Sequence, residues 1–127
     1  LDSRSTTVGK LKGKGNANVC FEIGYMKYQL VIQFPVTEDF DFDAIIALET
    51  KLTLDMGEGY IVDGHGFSTG EINIFIQTDN AEAGYRKAFD MVSINLIPTL
   101  RVAYRAKDTN EFIWLYPDNN QDIFSIQ

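Results

Sequence analysis

The chain has 127 residues, 45% hydrophobic and 13% aromatic, a composition that belongs to globular rather than disordered proteins. That length suits one domain with its own core, and the single cysteine, Cys20, excludes an intramolecular disulfide or a cysteine metal cluster. A net charge of −7 opposes nucleic acid and anionic membrane surfaces, and no apolar run approaches the ~20 residues that span a bilayer.

The charge is unevenly placed. Residues 1–25 carry Arg4, Lys10, Lys12 and Lys14 against Asp2 and Glu22, a balance of +2, so residues 26–127 hold −9. The first stretch, "LDSRSTTVGKLKGKGNANVCFEIGY", is a basic extension rich in Gly, Ser, Thr and Lys. Alternation over residues 19–25 predicts an added edge strand there. "GKLKGKG" is not a phosphate loop, because no GK[ST] follows four spacer residues. Met26 then opens a single α+β domain over 26–127. The first residues lack the apolar core of a signal peptide, and with one cysteine the chain reads as a cytoplasmic protein.

Within the domain, "YQLVIQFP" alternates Leu30, Ile32 and Phe34 against Gln29, Val31 and Gln33, which predicts a half-buried strand ended by Pro35. "DFDFDAIIALETKLTLDMG" predicts a helix with Asp41 as N-cap, a Phe40–Ile45 hydrophobic staple and Gly57 at the C-terminal end. Its buried stripe is Ile45, Leu48 and Leu52. "GYIVDGH" and "EINIFIQT" predict two strands joined through "GFSTG". Ile72, Ile74 and Ile76 share one face of the second; Asn73, Phe75 and Gln77 share the other. "DNAEAGYRKAFDMVSINLIP" predicts a second helix, with Asp79 and Glu82 at capping-box spacing and Pro98 at its stop. Tyr85, Phe89, Val92 and Leu96 are its inward residues. "LRVAYRAK" and "EFIWLYP" complete the pattern as a hairpin about "DTN". The order β-α-β-β-α-β resembles the ferredoxin-like fold, an antiparallel sheet with both helices on one face, here with an additional C-terminal hairpin strand.

"YQLVIQFP", "DAIIALE", "VDGHGFSTGEINIFIQTD" and "LRVAYR" together resemble a group of short uncharacterised bacterial proteins that carry similar VDGH and GExNIFI segments. The likeness spans most of residues 28–105. It implies a bacterial source, and a free-standing domain with an upstream extension suits a mobile gene cassette. It carries over no catalytic residue.

Two groups of side chains are candidates for function. His65, the only histidine, lies between Asp63 and Glu71, and a histidine among carboxylates suits general acid–base work. Asp63–Gly64 and the following glycines equally suit a bulged turn. Glu49, four residues after Ile45, is placed to pair with a group of the hairpin. Ser68 and Thr69 lack the strand–turn–helix setting of a nucleophile. One histidine with carboxylates at no fixed helical spacing does not define a metal site, and no cofactor motif is present.

The second group is the sheet face away from the helices. It gathers Gln29, Val31, Gln33, Asn73, Phe75, Gln77, Arg101, Ala103 and Arg105, extended either by Phe112, Trp114 and Tyr116 or by their neighbours. Asn73, Phe75, Arg101, Arg105 and Trp114 are its ligand or interface candidates, since aromatics and arginine are enriched where proteins meet. Phe75 alone offers an open-face aromatic where an RNA-recognition motif stacks bases on several. The expected function is a self-associating, non-enzymatic interaction module, a homodimer or higher homo-oligomer. A basic protein, in an immunity- or antitoxin-like role, or a small ligand is the expected partner. The alternative is a small-molecule enzyme of the dimeric ferredoxin-like kind with His65 as acid or base.

Overall fold

A computed structural model describes residues 26–117 and 123–126. The elements follow the order β1 (Tyr28–Pro35), α1 (Phe42–Asp55), β2 (Tyr60–Ser68), β3 (Glu71–Thr78), α2 (Ala81–Met91), β4 (Arg101–Ala106) and β5 (Ile113–Tyr116), with a short 3-10 turn at Ile97–Thr99 before β4. The five strands form one antiparallel sheet in the spatial order β2-β3-β1-β4-β5, compatible with a ferredoxin-like α+β fold. The edge strand expected over residues 19–25 lies outside the described residues. Among those described, no helix is long and apolar enough to cross a membrane.

The period-two alternation decides which face meets the helices. Leu30, Ile32 and Phe34 of β1, Ile72, Ile74 and Ile76 of β3, and Val102 of β4 pack with Ile45, Leu48 and Leu52 of α1 and Ala88 of α2 in one core. Both helices therefore cover the same face. α1 is built as expected: Asp41 accepts a hydrogen bond from the Ala44 amide at 3.1 Å, and Phe40 packs against the core beside it. Its last turn has no basic residue of its own. Lys87 of α2 supplies the missing charge, donating to the Met56 carbonyl at 2.6 Å and lying over the Tyr60 ring.

α2 departs from expectation at both ends. Its N-cap is Asn80, whose side chain accepts from the Ala83 amide at 3.0 Å; the Asp79 carboxylate is taken by the Lys27 amide at 2.9 Å. The helix stops at Met91, well before Pro98, because Val92 turns to extended backbone (φ −76, ψ 129) and the Ser93 hydroxyl accepts from the Asn95 amide. Tyr85, Phe89 and Leu96 pack only partly buried against the core, while Ala81, Gly84 and Ala88 make the close approach. A methyl group on Gly84 would sit 3.0 Å from the Tyr60 ring, so a larger residue here would force that ring to shift. Asn80→Ala should lower stability by about 1 kcal/mol in urea unfolding, with Asp79→Ala leaving the helix cap intact.

Candidate functional site

Part of the opposite face of the sheet is covered by residues 123–126 of the chain itself. Phe124 packs on Val31 and Ala103, with Phe75, Phe112 and Trp114 around it, as a second small core. Its ring stands 5.0 Å from that of Trp114 and 5.1 Å from that of Phe112. A bulge in the β4–β5 pairing puts Trp114 opposite Ala103 but Tyr116 opposite Val102. The expected aromatic row is thereby split: Trp114 faces Phe124, whereas Tyr116 turns to the helix side and meets Phe89 at 5.1 Å. Inserting one residue into a strand flips every later side chain.

The polar side chains of this face are joined to one another. Gln33 and Asn73 are each only 1% exposed. The Gln33 amide nitrogen lies 3.0 Å from Asn73 Oδ1, 3.1 Å from the Ser125 carbonyl and 3.2 Å from Glu71 Oε1, and its oxygen accepts from Arg101 at 3.0 Å. Asn73 donates to the Ser68 hydroxyl, Ser68 donates to Glu71, and Arg101 pairs with Glu71 at 3.3 Å. Arg105 holds Gln29 at 2.9 Å and the carbonyls of Lys107 and Thr109, fixing the turn after β4. Each of the five interface candidates thus has its partner within the chain. Gln33→Leu would strand several of these buried groups, and at about 1–3 kcal/mol for each lost partner it should destabilise by about 2–4 kcal/mol in urea. A change within error would show that water replaces the amide.

His65 belongs to a different place. The β2–β3 hairpin closes on the two residues Thr69 and Gly70, so residues 66–68 extend the strand instead of forming part of the expected loop. The register shifts between Val62 and Gly64, where Gly64 has φ +110, a left-handed backbone that favours glycine. With the extra residue absorbed there, Val62 stands opposite Ile76 and His65 opposite Ile74, both on the helix side. Asp63 is left on the other face, bound by the Gln77 amide at 2.9 and 3.1 Å, and Lys107 donates to the Gln77 oxygen. Asp63, His65 and Glu71 are therefore not brought together.

The histidine's partner is Glu49 of α1, with Nδ1 2.8 Å from Oε1. Phe42, at the first position of α1, stacks on Phe67 at 5.8 Å, and the His65 ring meets both edge-on. Phe42 is 40% and Phe67 60% exposed. In the neutral tautomer that donates Nδ1–H to Glu49, Nε2 carries the lone pair of an oriented base. Among the described residues no hydroxyl or thiol hydrogen-bonds to this ring, and no group of three or more His, Cys, Asp or Glu is placed to hold a metal ion. What the arrangement offers chemically is a partly exposed apolar and aromatic patch with one oriented imidazole. Sequence reasoning placed Glu49 toward the hairpin but missed Phe42 and Phe67. The available signal was Phe42 falling off the Ile45–Leu48–Leu52 stripe, and Phe67 sharing a strand face with His65.

No family model, no curated protein and no solved structure matches the chain.

Proposed function

We propose that this chain is a small acidic interaction module of ferredoxin-like topology that works without catalysis and self-associates along β2. The observation that carries this reading is the state of that edge. Among the described residues β2 pairs only with β3, and its sequence "YIVDGHGFS" has neither the lysine nor the proline that usually guards an open edge. Beside it the Phe42 and Phe67 rings are exposed. The sheet face, with Phe124 over it, offers less. The bulge at Asp63 blunts the first half of the strand, so pairing centres on residues 65–68. Asp63 is the strand's one formal charge and is tied to Gln77, which limits the repulsion between two bodies of −9 along this strand.

The likeness to short bacterial proteins with VDGH and GExNIFI segments fits such a role in a cytoplasmic setting, as does carriage on a mobile gene cassette. The negative body would then attract a basic partner. Light scattering at micromolar concentration tests self-association: twice the chain mass of 14.3 kDa is expected, and the single-chain mass at every salt concentration rejects it. An enzyme using His65 as acid or base is the second reading, favoured by the 2.8 Å Glu49 contact. It requires that His65→Ala abolish a turnover that the intact chain shows.

A further inference from the structure

Away from the sheet face and the β2 edge, the end of the main core is open. α2 stops at Met91, and the chain returns to β4 through a turn rather than a helix, so the base of the core is roofed by loops. The result is a cleft of about 450 Å³ between the end of β1, the first turn of α1 and the α2–β4 connection. Its walls include the core residues Phe34 and Ile45, together with Phe40 and Leu96. The volume falls within the range of about 300–1,000 Å³ that small-molecule sites occupy.

The charged groups of the cleft share one sign. Asp39 and Asp41 line it, and Lys, Arg and His are missing from its lining among the described residues. Several of the other polar groups are already used: Asp41 Oδ1 accepts from the Ala44 amide, the Thr99 hydroxyl donates to the Leu96 carbonyl, and the Ser93 hydroxyl accepts from Asn95. The side chains of Thr37 and Asp39 make no hydrogen bond among the described residues and stay available. A free carboxylate and a free hydroxyl suit the three donors of an ammonium group. An anion would face two carboxylates inside a body that is already negative.

We infer that this cleft binds a small organic cation, a primary amine on an apolar stem, with the stem against Phe34, Phe40, Ile45 and Leu96 and the ammonium at Asp39. The site is independent of self-association and of His65, so it stands or falls separately from the proposed function. The test is amide-resonance titration of the full, isotope-labelled chain with phenethylamine and with 3-phenylpropionate, which carries a carboxylate on a similar stem. Phenethylamine should shift residues 37–45 and 93–99 saturably, and phenylpropionate should not over the same concentrations. Asp39→Asn should weaken phenethylamine about fivefold, the size expected of one accessible ion pair, with unfolding unchanged. Ala44→Leu, a helix-compatible change on the cleft wall, should abolish the shifts while the helical circular dichroism is kept. Equal binding of the two probes, shifts that do not saturate, or undiminished binding to both variants overturns the inference.

Discussion

Phe34→Ala is expected to lower the unfolding free energy by about 3–5 kcal/mol, the range for deleting a fully buried phenylalanine ring. Phe34 is 1% exposed and lies where β1 opposes Ile72 of β3, under Ile45. Both the lost transfer energy and the residual cavity fall on a site shared by the sheet, through Ile72, and by α1, through Ile45. Against a total stability of about 5–15 kcal/mol, such a loss moves the urea midpoint far without changing the slope. Phe89→Ala is the internal control. Its ring leans on Tyr85 and Tyr116 at the rim of α2 and is only partly buried, so about 1–2 kcal/mol is expected. Equal losses at the two positions would mean that α2 packs more deeply than the close approach of Gly84 and Ala88 implies.

The contrast between Phe34 and Phe89 also marks how far the sequence could be read. Alternation along β1 and β3 separated helix-side from opposite-side residues correctly, because period two leaves no freedom once one face is apolar. Asp41, Gly57 and the Ile45–Leu48–Leu52 stripe were legible for the same reason: each is a local rule with a local cause. The cap of α2 was not. Asp79 and Asn80 are both good caps, and the choice is made by the Lys27 amide, 52 residues away in the chain, which captures Asp79.

Bulges and returns of the chain account for the rest. Asp63–Gly64 suggested a bulge within a turn, but only the two-residue loop at Thr69–Gly70 fixes which residues follow it on which face. That single count sends His65 to Glu49 and Asp63 to Gln77, dissolving the triad that spacing alone brought to mind. The second bulge parts Trp114 from Tyr116 in the same way. Coverage of the far sheet face depends on Phe124 and on the Gln33–Ser125 hydrogen bond, which spans 92 positions. No periodicity in β1 encodes a segment arriving from that distance.

Phe67→Lys is expected to convert the proposed dimer to single chains, weakening association by about 100-fold. A two-fold contact loses the ring twice, and Phe67 is 60% exposed in the single chain. Burying that part of each ring is worth about 1–2 kcal/mol, so the combined loss of about 2–4 kcal/mol brackets the ~2.7 kcal/mol of a 100-fold change. Lysine also guards an edge strand against pairing. It adds one positive charge to each body, however, and so reduces the repulsion between chains of net charge −7. Phe67→Glu separates the two effects, because it removes the same ring while raising the repulsion. If apolar burial at the edge holds the dimer, both variants sediment as single chains at micromolar concentration. If charge decided the assembly, lysine would tighten it and glutamate loosen it. Salt supplies the remaining axis: the screening length shrinks from about 10 Å at 0.1 M to about 3 Å at 1 M, so the unaltered chain should associate more tightly as salt rises. A dimer that survives Phe67→Lys, or weakens with salt, is not built on the Phe42–Phe67 edge.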